Sequence, residues 1–260
     1  MSRSLLPVYA LWHREVVRFI RQRSRVTGAF AQPLVFWLLL GGGLNASFRP
    51  AGTETSYVEY FYPGVITLVL LFTAIFATIS TVEDRREGFL QGVLAAPVPR
   101  WAIVLGQACG GTSLAVLQGA LFLLMAPLLG IALSVASVAA TIGVMVIVSL
   151  SLTSLGLMIA WHMESTQGFH AIMNLILIPI WLLSGAFFPA RGLPAPLSWL
   201  MTANPLTYGV AALRRCLYLE RPPAAGLVPP LAPSVAISIA FCAVTFLLAT
   251  RSARRSQARV

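Results

Sequence analysis

No Asp, Glu, Lys or Arg occurs over residues 101–163. A helix needs about 20 apolar residues to cross the hydrocarbon core of a bilayer, so this stretch has to hold two crossings and the turn between them. The rest of the chain agrees. It is 58% hydrophobic, 10% charged and has a mean hydropathy of +0.83, where a soluble domain carries roughly 25% charged residues. The apolar runs are continuous and not alternating, which predicts an all-α integral membrane protein and not a barrel.

Six spans are expected, near residues 29–48, 60–82, 101–127, 131–160, 170–189 and 231–250. The long uncharged run divides most naturally at residues 127–130, where Pro and Gly end and turn a helix. An even number of spans places both termini on one side. Thirteen arginines share that side, and five (Arg49, Arg191, Arg214, Arg215 and Arg221) lie on the other. The positive-inside rule then sets both termini in the cytoplasm, with a cytoplasmic (inner) membrane as the expected location. The same rule accounts for the net charge of +10 without nucleic acid as a partner.

The whole chain, residues 1–260, reads as one transmembrane domain. Residues 1–28 carry Leu5, Tyr9, Trp12, Val16 and Ile20 at helical spacing, the pattern of a helix lying in the interface with its arginines near anionic lipid. No cleavable leader is read there. Residues 190–230 form the longest outer connection. Within it Asn204 is a good N-cap, Pro205 a good first helical residue, and Arg214 and Arg215 suit a helix end. This piece is expected either on the surface or as half of a re-entrant hairpin.

Between spans two and three lies a charged island, residues 83–100, with Glu83, Asp84, Arg85, Arg86, Glu87 and Arg100. In a chain that lives in lipid, charges stand outside the hydrocarbon or at sites of function. Residues 84–95 are expected to form a short helix with Phe89, Leu90, Val93 and Leu94 as an apolar edge, ended by Pro97 and Pro99. Such a helix fits a groove of a partner; the plainer alternative is a solvated loop that anchors topology.

Several chemistries are disfavoured. The chain has no Lys, which excludes a Walker A loop and Schiff-base chemistry on it. Cys109, Cys216 and Cys242 form neither a metal pattern nor a disulfide framework. His162, Glu164 and His170 lack a standard metal-ligand spacing. Ser184-Gly185 evokes an intramembrane serine protease, but Leu182 stands where its motif has Gly, and His170 lies about 21 Å away along one helix. The spans hold no acidic pair of the kind proton-coupled transport uses, and no duplicated half. Gly106 and Gly110 make a GxxxG, a helix-packing signal.

Two stretches resemble the membrane subunits of type 2 ABC exporters. In the island, Glu87, Gly88, Leu90, Leu94, Pro97, Arg100 and Gly106 match that family's cytoplasmic stretch. Phe89 and Gln91 depart from it, as the family often has Thr and Glu there. In residues 178–215, Ser184, Gly185, Phe188, Pro189, Leu193, Pro194, Asn204, Pro205, Tyr208 and Arg214 match its SGxFFP and NPLTY motifs, and Pro63-Gly64 fits the start of span two.

The resemblance implies a homodimer of permeases docked to two copies of a separate ABC ATPase, which would bind ATP and Mg. No catalytic, cofactor or metal site is implied on this chain. Glu83, Arg85, Arg86, Glu87, Gly88, Leu90 and Leu94 would couple to the ATPase. Spans one, two and five would line the dimer seam and the substrate path, through Thr67, Phe72, Phe76, Asn174, Leu177 and Trp181. The implied activity is export of an amphipathic cargo such as a drug-like molecule, a lipid or a lipid-linked glycan. Polysaccharide export is the runner-up, with an intramembrane hydrolase and a non-transporting assembly factor as readings from other classes.

Overall fold

The computed structural model describes residues 2–45, 56–189, 193–220 and 228–255. The regular elements among them are helices: α1 (Ser2–Arg21), α2 (Arg23–Phe36), α3 (Gly42–Asn45), α4 (Tyr57–Arg86), α5 (Phe89–Ala95), α6 (Arg100–Leu123), α7 (Val135–Ala160), α8 (Thr166–Trp181), α9 (Ala195–Ala203), α10 (Pro205–Leu217) and α11 (Leu231–Arg255). Wider π turns occupy Trp37–Gly41, between α2 and α3, and Leu182–Ala186, after α8. Arg49, Arg191, Arg221, Pro222, Pro223 and Arg259 lie outside the described residues.

Six stretches are long and apolar enough to cross a membrane: Val26–Leu44, Tyr57–Arg86, Arg100–Leu123, Val135–Ala160, Thr166–Ala186 and Leu231–Arg255. They match the expected spans in order, and the protein is an all-α integral membrane protein. The expected break at residues 127–130 is a 3-10 turn over Ala126–Leu129 closed by Gly130, whose φ of 74° favours glycine. Ser56, Ser134 and Ser165 cap α4, α7 and α8 by accepting from the backbone N–H three residues on.

Helix α4 is the axis of the bundle. Almost all of its residues from Tyr57 to Val82 are buried, and α2, α6, α7, α8 and α10 pack around it. Helix α11 lies outside, against α7 and α10. Small residues bring the inner helices close: Gly156 faces Thr78, and Gly111 faces Thr153. The hydroxyls of Thr67 and Thr78 each donate to the carbonyl four residues back, at 3.0 and 2.8 Å, so these polar groups are satisfied within their own helix, while the single proton of Thr73 is shared between the Val69 carbonyl and Gln118 Oε1 of α6.

Helix α1 packs along the first half of α6 in a seam of Val8, Leu11, Glu15 and Phe19 against Gly106, Gly110 and Leu114. This differs from the apolar stripe expected from the sequence. Of that stripe, Leu5, Tyr9 and Ile20 remain exposed, so α1 turns one face to α6 and offers a second, apolar face to its surroundings. The GxxxG of α6 is the seat of α1.

Candidate functional site

The charged island is not one loop. Helix α4 continues through Glu83, Asp84 and Arg85 to Arg86, and Gly88 then breaks the chain in the left-handed conformation, φ 77°. Only Phe89–Ala95 forms the separate short helix α5, in place of the helix expected to begin at residue 84. Asp84 is completely buried. Arg14 donates to both of its carboxylate oxygens, at 2.5 and 2.6 Å, and Arg18 donates to Asp84 at 2.6 Å and to Glu83 at 2.8 Å. Bidentate charge-assisted bonds of this kind are strong and directional. They clamp α1 to the end of α4, and the bond to Asp84 raises the pKa of Arg14.

Glu15 lies beside this clamp and is buried. Burial pushes its carboxyl pKa up, against the lowering effects of a hydrogen bond to Ser80 and of Arg14 and Arg18. Ser80 Oγ stands 2.7 Å from both Glu15 Oε2 and the Ala77 carbonyl oxygen. Its single proton serves one of them; a protonated Glu15 would supply the other.

Helix α5 is rooted in the bundle by the residues expected to form a free apolar edge. Leu90 is fully buried, and Val93 and Leu94 pack with it against a cluster that includes Ile103, Leu157, Trp161 and Ala253. The guanidinium of Arg14 stacks over Phe89 at 3.8 Å. Arg85 donates to the Trp161 carbonyl at 2.6 Å, and Arg100 to that of Leu94 at 3.0 Å. Of the expected coupling residues, Glu83, Arg85, Leu90 and Leu94 therefore make internal contacts. Arg86 and Glu87 are exposed, and Gln91 and Gly92 extend the free surface along α5.

At the opposite end of the bundle, α8 loses its regular path. Pro179 lies inside the helix, Leu183 leaves helical geometry and Gly185 adopts φ 74°. A break of this kind frees backbone carbonyls, and the resemblance motifs recapture them. Ser184 donates to the Trp181 carbonyl at 2.5 Å. Asn204 Nδ2 donates to the carbonyls of Ile180 and Leu183, at 2.6 and 3.1 Å, while its Oδ1 caps α10 through Leu206 N–H. Arg214 donates to the carbonyls of Tyr60 and Gly185 and stacks on the Tyr60 ring at 4.0 Å. Tyr60 OH also donates to Gly185, and Trp181 Nε1 donates to the Gly64 carbonyl. Tyr208 OH ties α10 back to α9 through the Thr202 carbonyl.

The α9–α10 pair is thus fixed in the bundle. Gly209 faces Val148, halfway along α7, and Ser137 in the first turn of α7 donates to the carbonyls of Cys216 and Leu217. Helix α10 therefore runs from beside the middle of α7 to the N-terminal end of that helix. Pro189 closes the turn that follows the break.

A model of the ABC-2 type transporter family matches residues 7–218. The chain belongs to the ABC-2 type transporter family. A relative from Cyanophora paradoxa, named as a transport permease, ycf38, is 26% identical over 80% of this chain and 72% of its own length. Nodulation protein J of Rhizobium leguminosarum bv. trifolii is 27% identical over 79% of each chain. Nodulation protein J of Rhizobium leguminosarum bv. viciae is 25% identical over 95% of this chain and 93% of its own.

In this ABC-2 permease the expected path residues do not line one surface. Thr67, Phe72, Leu177 and Trp181 are buried between helices, whereas Asn174 is exposed on α8. Phe76 meets the ring of His170 edge-on in a cleft of about 540 Å³ between α2, α4 and α8, which Ser24, Ile79, Glu83, Thr166 and Gln167 also line. His162 Nδ1 bonds the Met158 carbonyl at 2.8 Å. The site residues absent from the sequence reading are Arg14, Glu15 and Arg18 of α1. A Glu within the apolar period of an amphipathic helix is the one signal that marks them.

Proposed function

We propose that this permease is the membrane half of an ATP-driven exporter. Two copies pair, each docks a separate ATPase subunit on α5 at the cytoplasmic end, and an amphipathic molecule leaves the cytoplasm. The observation that carries this reading is the construction of α5. Its exposed face is free to meet a partner, while Leu90 and Leu94 are embedded against α6 and α7. A push on such a helix passes into the spans because close-packed interiors transmit displacement.

The other parts of the reading have their own support. The arginine distribution favours a cytoplasmic location for α5. Val35, Phe36, Leu38 and Leu39 on the first span and Leu175 and Ile176 on the fifth are exposed apolar groups available to a second copy. The cleft between α2, α4 and α8 mixes aromatic, aliphatic, hydroxyl and carboxylate groups, which suits a cargo with an apolar body and a polar head. ATP and Mg belong to the ATPase partner. The chain's missing lysines fit that division of labour.

The test is co-expression with candidate ABC ATPases, co-purification, and ATP-dependent transport in proteoliposomes. A stable complex whose ATPase activity rises with amphipathic cargo supports the reading. A permease that retains no ATPase overturns it, and stimulation by soluble polysaccharide alone would replace the cargo class.

A further inference from the structure

A second cavity, of about 370 Å³, opens between the ends of α7 and α11, on the same end of the bundle as α5. Its apolar part is formed by Met158, Met163 and Leu248, and its polar part by Arg251, Ser252 and Arg255. Leu248, Arg251, Ser252 and Arg255 recur at the spacing of one helix face. Among the described residues, no acidic side chain lines the cavity. Both arginines are exposed, and neither makes a hydrogen bond or ion pair among the described residues. His162 also borders the cavity; with Nδ1 donating to the Met158 carbonyl, its Nε2 remains for a ligand.

The position defines the chemistry. The apolar run of α11 ends at Thr250 and the arginines follow at once, which places the cavity where hydrocarbon gives way to headgroups. The C-terminal ends of α7 and α11 carry partial negative charge. They hold guanidiniums there but do not attract an anion themselves, so recognition has to come from the arginine side chains. Guanidinium pairs match phosphate oxygens in planar, bidentate geometry. The methionines form an adaptable apolar wall below them. Basic pockets between spans on the cytoplasmic side take anionic lipid headgroups.

We infer that this cavity is a binding site for an anionic glycerophospholipid, its phosphate on Arg251 and Arg255 and an acyl chain along Met158, Met163 and Leu248. The inference requires only that the chain spans a membrane, and it holds whichever cargo is moved. The wall also belongs to the support of α5, since Ala249 and Ala253, on the neighbouring face of α11, pack in the same cluster as Leu90 and Trp161.

The test uses the delipidated, full-length permease in neutral detergent, titrated with phosphatidylglycerol, phosphatidylcholine or inorganic phosphate and read by native mass spectrometry. Phosphatidylglycerol should be retained over phosphatidylcholine, and inorganic phosphate should not displace it. Arg251→Gln with Arg255→Gln should lower phosphatidylglycerol retention roughly tenfold, while Arg254→Gln, outside the cavity, should not. Met163→Trp narrows the cavity without changing charge and should also weaken retention. Equal binding of the two lipids, or full retention by both the double variant and Met163→Trp, would overturn the inference. Displacement by inorganic phosphate would assign the site to a free anion and not to a lipid.

Discussion

Asp84 and Arg14, seventy residues apart in sequence, share two hydrogen bonds of 2.5 and 2.6 Å, and the carboxylate is completely buried. This pair turns the end of α4 and the N-terminal helix into one unit, directly above α5. Removing one partner of a buried ion pair costs about 3–5 kcal/mol, because the other is left without compensation. Arg14 and Arg18 keep side-chain exposures of 30% and 19% and still reach Glu15 and Glu83, so Asp84→Ala is expected to destabilise by less than that in detergent, roughly 1–3 kcal/mol. Arg14→Ala should cost less, since Arg18 still bonds Asp84. A double-mutant cycle should give a clearly non-additive coupling; additive effects would show that the pair does not act as a clamp.

The glycines of α6 and α5 should respond in opposite directions to the same substitution. A methyl on Gly110 would stand 2.6 Å from Glu15 Cβ, and one on Gly106 would stand 2.8 Å from Leu11 Cβ. Either forces α1 off its seat, at a cost of about 1–3 kcal/mol. Gly92 lies on exposed α5 with nothing within 4 Å. Gly92→Ala should instead stabilise α5, by up to about 1 kcal/mol. Melting temperatures of the three single variants check this, and a neutral Gly110→Ala would refute the seam.

Asn204 has two roles that Asp can separate. As an N-cap, Asp would serve α10 as well as Asn. Asp cannot donate to the carbonyls of Ile180 and Leu183, and it brings a negative charge against them. Asn204→Asp should therefore destabilise at least as much as Asn204→Ala, by roughly 1–3 kcal/mol. If Asp substituted without loss, capping alone would explain the residue.

Glu15 predicts a pH dependence. Burial raises its folded pKa above the unfolded value, so the fold holds its proton more tightly. The stability this contributes is complete below the ordinary carboxylate range and is lost as pH rises through the raised value. The groups facing it are Ser80, Arg14, Arg18 and Asp84. Comparison with Glu15→Gln, which keeps an oxygen for Ser80, isolates the contribution of the Glu15 carboxyl. Relative to that variant, the wild type should lose thermal stability as pH is raised above the ordinary carboxylate range. A difference that is flat with pH would contradict the assignment.

Much of the bundle was legible because hydrocarbon admits few alternatives. Uncharged runs mark spans, and Pro127 with Gly130 marks their division. The pairing of distant side chains was not legible. Asp84 reads as an island acid, since nothing local reveals that Arg14 and Arg18 bury it. Leu90 and Leu94 read as a free edge because helical spacing identifies an apolar stripe but not what it packs on. The Gly106–Gly110 spacing likewise announces a close helix neighbour without naming α1. The NPLTY and SGxFFP motifs were visible as strings; their reason, the carbonyls released where α8 breaks, exists only once the two segments meet.

In the exporter proposed for this chain, the exposed face of α5 receives the ATPase. This docking is tested most directly by co-purifying a separately encoded ABC ATPase with the wild-type permease and with a Glu87→Arg, Gln91→Arg double variant. Both side chains are exposed, so membrane insertion should be unchanged, and the melting temperature should fall only slightly through the charge of Glu87 near Arg14. The wild type should retain the ATPase and the variant should lose it. Retention at the wild-type level by a correctly inserted variant would contradict it.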